Sequence, residues 1–409
     1  MAPVETPLAP EGFRPGSCRG GEGFFRVAQD DDDRWWLLDP EGRSFFCRAV
    51  NGVNVARPLD DTPLPRDSAA RLRGWGFSAL GTDCDDAALM DGFPVLATIQ
   101  FSAAGPLIVA PGARLPDVFD ADWPRLATAR AAEICTPQTA NRQLLGWVTD
   151  SAAAWAQPAG TGKPSLLQLC LSLEPNFAAY HAAWEFVLAL HGGRLELLAR
   201  AWGIALPNKE MVREMTRSDS GIATRGYLRD EARWTREYAR RYFTTTANAI
   251  RSADPNHLVL GCRFGGGPGQ GAAVAGANVL AECVYPAVDI AMPPWRELPA
   301  GAAMPVLAAD VDWTEGDFQR TATARDRRLT SVERMLRRAR LALERLAAHP
   351  AVTGYIWREW VDSPADQPPF GRGLVHLNGR DAREHTELLA DFNHRAEAIR
   401  RARRPVFQT

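Results

Sequence analysis

Short apolar runs alternate with helical stretches along most of the 409-residue chain. Eight of these runs are predicted as strands: Phe45–Asn51, Phe77–Asp83, Pro94–Gln100, Leu144–Asp150, Leu258–Phe264, Val288–Met292, Pro305–Asp312 and Val352–Trp360. A repeated order of strand and helix is typical of a parallel sheet covered by helices. Eight strands in a chain of this length favour an α/β protein with a closed (β/α)₈ TIM barrel over an open doubly wound sheet.

Three segments do not fit the strand–helix repeat. Residues 1–22 are rich in proline and are predicted as a poorly ordered N-terminal arm. Residues 23–44 contain two aromatic-rich runs around an acidic turn, which predicts a small β-hairpin cap before a barrel at 45–409. Residues from about 157 to 226 form a long helical insertion after strand four, on the face where barrel enzymes place their sites. We therefore expect this insertion to shape a substrate cleft.

Two late helices begin with a residue pair that has the spacing of a capping box. Thr330 and Glu333 predict the start of a helix that ends near His349. Asp381 and Glu384 predict the start of the last helix in the same way. These assignments place the last two helices beside strands seven and eight.

Alternate residues of a barrel strand face the lumen and the surrounding helices. In the seventh strand this phasing turns Leu307 and Ala309 outward and Asp310 inward; in the eighth it turns Tyr355 and Trp357 inward. The residues phased into the C-terminal mouth are Asn51, Asp83, Asp150, Arg263, Asp310, Trp357 and Glu359. One such polar residue alone would be interpreted as a structural contact at the rim of the barrel. Four carboxylates at the same mouth favour a functional site.

Charge and cysteine content narrow the function classes. The formal net charge is −2 with interspersed signs, so neither nucleic acid nor a membrane surface is expected as the main partner. Seven scattered cysteines without CxxC spacing favour a reducing compartment. The N-terminus has no basic start and no apolar segment of a signal peptide, and no run is long enough to span a bilayer. We therefore expect a cytoplasmic protein.

Four motifs resemble one enzyme family. They are "RWWLLDPEGRSFFCRAVNGVN", "RLRGWGFSALGTD", "IRSADPNHLVLGCRF" and "GYIWREWVDSPADQ". Together they are similar to bacterial β-agarase-like glycoside hydrolases, which are retaining (β/α)₈ enzymes. The resemblance implies a TIM barrel and a hydrolase that acts on a glycoside. It also implies an acid/base group after strand four and a nucleophile after strand seven.

The catalytic positions depart from the family pattern. After strand four, Asp150 matches the Asp of the family's Asp-Asn-Glu, whereas the position of the acid/base Glu is Ala152. After strand seven, the position of the nucleophilic Glu is Asp310. After strand six the family has a Tyr that orients the nucleophile, and "IAMPPW" here offers Trp295 and no Tyr. Since alanine cannot donate a proton, the candidate catalytic residues are Asp150, Asp310 and Glu359, with chemistry that has diverged from standard retention.

Other residues at the mouth are candidates for binding substrate. Asn51, Asp83 and Arg263 would contribute polar contacts. Trp155, Trp295, Trp313 and Trp357 could stack on a sugar, although core packing is the expected role for at least half of them. No histidine motif or ligand spacing predicts a metal, and no cofactor is predicted. Gly265 to Gly271 lacks the Lys-Ser/Thr of a phosphate loop and is interpreted as a flexible loop of the site.

Three functions are left open by the residues alone. The first is a glycoside-hydrolase-like enzyme that acts on a saccharide or similar small molecule through its mouth carboxylates. The second is a repurposed barrel enzyme of secondary metabolism that carries out acid/base chemistry on a non-glycosidic substrate. The third is a carbohydrate-binding pseudoenzyme, which Ala152 suggests. The oligomeric state is not indicated by the sequence.

Overall fold

The computed structural model describes residues 11–53, 67–85, 92–110, 112–150, 154–156, 160–263, 281–291, 295, 298, 303–314, 317–318, 329–363 and 371–402. Three features singled out in the sequence lie outside the described residues. These are residues 1–10 of the arm, Ala152 and the glycine-rich loop 265–271.

Fifteen strands occur in the described part of the chain. They are β1 (Arg26–Gln29), β2 (Trp35–Leu38), β3 (Ser44–Phe45), β4 (Cys47–Val50), β5 (Ala79–Leu80), β6 (Val95–Ile99), β7 (Leu107–Ala110), β8 (Ala113–Pro116), β9 (Leu144–Thr149), β10 (Ala154–Trp155), β11 (Leu258–Gly261), β12 (Val306–Val311), β13 (Val352–Trp357), β14 (Glu359–Val361) and β15 (Gly373–Val375). Seven of them form one parallel sheet in the order β11-β9-β6-β5-β4-β13-β12. The fold is therefore mixed α/β and barrel-like, as the sequence pattern predicts.

The sixth predicted strand, Val288–Met292, is wrong. The residues that pair with β12 come earlier, because Val284 and Ala287 bridge to Val306 and Ala309. On the other side, the amide of Glu282 donates to the carbonyl oxygen of Val259 in β11, at 3.0 Å. Pro286 interrupts this segment and has no N–H to donate, so only isolated bridges form. Residues 282–287 thus lie between the two edge strands of the sheet.

The described residues contain nine α-helices. They are α1 (Ser68–Gly74), α2 (Trp123–Cys135), α3 (Leu166–Leu171), α4 (Ala178–Leu190), α5 (Leu195–Trp202), α6 (Glu210–Arg217), α7 (Arg225–Ala253), α8 (Ser331–Ala348) and α9 (Arg383–Arg401). Helices α3 to α6 lie in the predicted insertion and pack against α7 in one apolar cluster. None of the described helices is both long and apolar enough to cross a membrane.

One of the two predicted helix starts is confirmed. The hydroxyl of Thr330 accepts a bond from the amide of Glu333, and the Glu333 carboxylate accepts one from the amide of Thr330. The capping box predicted at Asp381 is wrong, since α9 begins at Arg383 without a side-chain cap. Asp381 instead pairs with Arg71, 3.4 Å away.

Apolar side chains from the strands fill the lumen of the sheet, and they correct the phasing of strands seven and eight. Leu307, Ala309 and Ile356 belong to the lumen cluster. Ala308 and Tyr355 belong to the cluster beneath α8 and α9, where the Tyr355 hydroxyl donates to Asn393. The predicted outward and inward sets were therefore exchanged over residues 307–309 and 355–357.

Residues 11–22, predicted as part of a poorly ordered arm, are held against the hairpin. The amides of Arg14 and Arg19 donate to the carbonyl oxygens of Gln29 and Val27, at 2.8 and 2.9 Å. Cys18 is buried beneath them. This segment adds backbone hydrogen bonds to an otherwise unpaired edge of β1, which explains its order.

Arg400 joins the two ends of the described chain. Its guanidinium donates to the carbonyl oxygens of Trp35, Ala347, His349 and Pro350. The side chain is almost fully buried, and burial lowers its pKa to about 9. A buried cation with carbonyl partners is costly to disturb, so α9, the end of α8 and the hairpin are fixed to one another.

Asp254 and His257, in the turn before β11, form a buried pair. The Asp254 carboxylate accepts bonds from His257 Nδ1 at 2.6 Å and from Trp147 Nε1 at 2.8 Å. The second His257 ring nitrogen lies 2.8 Å from the carbonyl oxygen of Asn141. Because both ring nitrogens have a partner, His257 has a structural role in this turn. Burial opposes the charge of Asp254, but the bonds from His257, Trp147 and Asn256 outweigh it and lower the pKa.

We predict that Asp254→Ala lowers the free energy of unfolding by about 3–5 kcal/mol at pH 7, because it leaves His257 and Trp147 without their buried partner. The measurement is denaturant unfolding. Since the pKa of Asp254 is lower in the folded state, its contribution is present above pH ~4 and is lost as the pH falls further. Asp122→Ala removes an exposed carboxylate as the control. An equal loss in both variants would contradict the prediction.

Candidate functional site

A cleft of about 420 Å³ lies at the C-terminal ends of strands β4, β5, β11 and β13. The side chains or backbone that line it belong to Asn51, Gly52, Asp83, Arg263, Arg358, Glu359, Trp360, Val361, Asp362 and Ser363. Four of them were predicted as site residues: Asn51, Asp83, Arg263 and Glu359. The cleft therefore brings together most of the polar residues that the sequence phased into the mouth.

Asn51 is positioned by close contact between the first two sheet strands. Its Oδ1 accepts a hydrogen bond from the amide of Thr82, at 2.9 Å. A Cβ at Gly81 would lie only 2.0 Å from this oxygen, so only glycine permits the approach. Asp83 follows with a φ of 59° and is exposed in the cleft wall, with the Thr82 hydroxyl 3.2 Å from its carboxylate.

Arg263 and Asp310 form the central ion pair of the site. Arg263 Nη1 lies 2.8 Å from Asp310 Oδ1, and the two side chains are 35% and 16% exposed. Two irregularities place them there: Gly261 has a φ of 73°, and Asp310 has a φ of 52° beside a register shift in β12. The ion pair fixes the orientation of the Asp310 carboxylate relative to Arg263, and Arg263 lines the cleft.

Tyr285 is a residue of this site that the sequence reasoning missed. It lies in the segment between β11 and β12, is buried in the lumen cluster and is close to Asp310, Arg263 and Asn51. Burial raises the pKa of its hydroxyl far above the usual value, and the charge of Asp310 raises it further. The sequence reasoning looked for a Tyr only after Val288–Met292, where strand six had been placed, and so passed over Tyr285. The short apolar run "CVYPAV" at residues 283–288 is the sequence feature that could have indicated this strand segment and its Tyr.

Asp150 does not reach the cleft, contrary to the phasing prediction. It is 1% exposed and has a φ of 45°, which turns the side chain away from the regular alternation of β9. Its two oxygens accept hydrogen bonds from the Tyr242 hydroxyl of α7 at 2.6 Å and from the Ser102 amide at 2.8 Å. Burial raises the pKa of Asp150, while these bonds lower it in part. Its observed role is to join α7 to the turn after β6.

The predicted stacking tryptophans are mostly core residues. Trp155 packs against Tyr238, Tyr242 and Phe243 beneath α7. Trp313 and Trp357 are fully buried and lie edge to face, with ring centroids 4.6 Å apart. Phasing predicted Trp357 in the mouth, but its indole faces the helices and donates to the carbonyl oxygen of Arg372. Trp295 is partly buried and packs against the same cluster as Trp313.

Charges are closely paired on the wall formed by residues 358–363. Arg358 lies 3.4 Å from Glu359 and 3.2 Å from Asp312. Arg372 also contacts Asp312, at 2.7 Å. Burial raises the pKa of Asp312 and the two arginines oppose that shift. Among the described residues, no group of three or more His, Cys, Asp or Glu side chains could hold a metal ion.

The chain resembles β-agarases in sequence. It is 23% identical, over an alignment 458 positions long, to β-agarase A of Vibrio sp. strain JT0107, and the alignment covers 90% of this chain and 45% of the relative. The chain thus spans less than half the length of that relative. No protein-family model matches it. The resemblance found from the four sequence motifs is confirmed.

Solved structures agree at the level of the fold. An exo-β-agarase superposes with a TM-score of 0.66 at 17% identity, covering 93% of this chain and 66% of its own. A second agarase gives 0.65 at 17% identity, with 97% and 68% covered. A β-galactosidase from the psychrophilic Marinomonas ef1 gives 0.50 at 9% identity, with 86% and 60% covered. These likenesses establish an agarase-like, barrel-like fold.

We predict that Asp150→Asn lowers the free energy of unfolding by about 1–3 kcal/mol, because the new amide brings two N–H donors into a buried site where the carboxyl group accepts from the Tyr242 hydroxyl and the Ser102 amide. The raised pKa means that the folded protein binds the Asp150 proton more tightly than the unfolded chain does. Its contribution is therefore present at low pH and is lost as the pH rises through the folded pKa. The variant should lose less stability than the parent between pH 4 and 7 in chemical unfolding. Tyr242→Phe, which keeps the carboxylate, is the control, and an identical pH dependence in Asp150→Asn and the parent would contradict the assignment.

Proposed function

We propose that the protein is a glycoside-hydrolase-like enzyme that cleaves a galactoside-containing saccharide in the cleft between Asn51 and Ser363. The observation that carries the proposal is the Arg263–Asp310 ion pair, whose Arg263 lines the same cleft as Asp83 and Glu359, on the face where barrel enzymes hold their catalytic groups. The agarase and β-galactosidase relatives support a galactoside as the substrate class. The proposal includes a barrel closed by residues 282–287.

The proposed chemistry uses water rather than a covalent intermediate. Asp310 is one methylene shorter than the Glu that its position implies, so it leaves room for a water molecule before the anomeric carbon. Asp310 would accept a proton from this water as its oxygen attacks, while the glycosidic C–O bond breaks. Glu359 would give a proton to the departing oxygen. Asp310 and Glu359 are thus the proposed catalytic residues, and Asp150 is a positioning residue that acts through α7.

The residues around Asp310 and Glu359 are proposed to have different roles. Arg263 would hold the Asp310 carboxylate in place through their ion pair, and Tyr285 is buried in the lumen cluster close to both. Asn51 and Asp83 would bind sugar hydroxyls, since both line the cleft and carry free acceptor or donor capacity. Among the described residues that line the cleft, Trp360 supplies the aromatic ring, and it is only 3% exposed. Binding is therefore expected to depend on hydrogen bonds more than on stacking.

We predict that Asp310→Asn reduces kcat by about 100-fold or more on agar-derived oligosaccharides or aryl β-galactosides, because the variant cannot accept the proton. The measurement is product formation by chromatography at saturating substrate. Asp39→Asn, in the hairpin turn outside the cleft, is the matched control and should keep the parental rate. Full activity of Asp310→Asn with a native circular-dichroism spectrum would refute the assignment.

The water mechanism also predicts the stereochemistry of the product. Direct attack by water inverts the anomeric configuration, so proton NMR of the first product should show the α-anomer from a β-linked substrate. A first product with retained configuration would show that a covalent intermediate forms and would rule out this role for Asp310.

A second candidate function is saccharide binding without turnover. The ion pair with Arg263 already occupies one Asp310 oxygen, and the sequence has Ala152 at the position that the family resemblance gives to the proton donor. Isothermal calorimetry with agar-derived oligosaccharides tests it alongside the activity assay. Binding without any product over many hours supports the second candidate, whereas product formation that depends on Asp310 supports the first.

A further inference from the structure

The longest helix has a stripe of arginines on its outer face. Five exposed arginines of α7 lie on this face: Arg225, Arg229, Arg233, Arg236 and Arg240. At about 100° and 1.5 Å per residue they fall within roughly 80° of one another around the axis and extend over about 22 Å. We call this set the arginine stripe.

The stripe has few counter-charges on its own helix. Asp230 and Glu231 point inward, where Asp230 accepts from Trp202 and Glu231 accepts from Ser165. Glu237 pairs with Arg240 at 2.8 Å. Arg233 lies 3.8 Å from Asp230. These pairs neutralise one end of the stripe only in part.

Three members of the stripe have no partner within the part of the chain that the structure describes. Arg225, Arg229 and Arg236 form neither an ion pair nor a side-chain hydrogen bond there. Arg229 and Arg236 are seven residues apart, so they point in nearly the same direction about 10 Å apart along the axis. The stripe therefore presents unneutralised guanidinium groups at regular intervals.

We propose that the arginine stripe binds an anionic polysaccharide, one that carries sulfate or carboxylate groups along its chain. A guanidinium fork matches both groups with two parallel hydrogen bonds. Regular cation spacing along a straight helix suits a linear polyanion better than a compact ligand. The protein's net charge of −2 means that attraction comes from this face and not from the whole surface.

The composition of the stripe argues against other partners. A protein interface needs an apolar centre, and the exposed large apolar side chains of the described residues, Val109 and Leu190, are not on α7. Single-stranded nucleic acid needs exposed aromatic rings for stacking, and the aromatic residues of α7 are buried. The choice of a polysaccharide over other polyanions rests on the proposed function. The stripe would hold a charged glycan on the outer helix layer, apart from the cleft.

The test compares a sulfated galactan with neutral agarose, both as soluble chains long enough to span the stripe. The parent protein should bind the sulfated chain at least about tenfold more tightly, with an affinity that falls as salt is raised. Arg229→Glu combined with Arg236→Glu should abolish that preference. The matched control is Arg380→Glu with Arg383→Glu, which makes the same charge change near the start of α9 and should leave binding unchanged.

Every result of this binding comparison either supports the proposal or overturns it. Equal affinity for sulfated and neutral chains, or equal loss in the stripe and control variants, would overturn it. Duplex DNA bound as tightly as the sulfated galactan would overturn the assignment to a polysaccharide. Asp310→Asn should bind the sulfated chain like the parent even when it is inactive, so failure of the stripe and failure of the proposed cleft chemistry give different results.

Discussion

The left-handed backbone of three aspartates decides where the carboxylates at the strand ends point. Asp83, Asp150 and Asp310 have φ values of 59°, 45° and 52°, a region that costs non-glycine residues of the order of 1–3 kcal/mol but that Asp tolerates better than most. Each of them interrupts the alternation of side chains at the point where a parallel strand ends. One carboxylate consequently faces the cleft, one faces Arg263 and one is buried under α7.

The period of apolar residues was sufficient to predict most of the parallel sheet. Seven of the eight predicted strands overlap a strand of the observed sheet. They could be recognised because apolar residues recur with a different period in a buried strand than in the helix that follows it. The segment around Tyr285 escaped this reasoning. It pairs through isolated bridges around Pro286, and the apolar run that follows it is the stronger hydrophobic signal.

The site could be predicted only in part, because a strict two-residue period fails at bulges and left-handed residues. Arg263 lines the cleft although it does not continue the alternation of β11, in which Leu258 and Leu260 face the lumen. Asp150 was misplaced because the same argument was carried through a residue of positive φ. The tryptophans could not be assigned from sequence, since a large ring fits a core and a sugar platform equally well. Their burial settles the matter for Trp155, Trp313 and Trp357.

The contacts of Arg400 have a consequence for how the chain matures during synthesis. Its bond to Trp35 joins residues 365 positions apart, so the hairpin is made long before its buried cation exists. At about 5–20 residues per second the ribosome needs roughly 20 to 70 seconds to bridge that interval. Throughout that time the aromatic faces of Trp36 and Phe46, which the guanidinium later covers, lack their final cover. The nascent chain is thus expected to depend on chaperones that shield this apolar surface until α9 has left the exit tunnel.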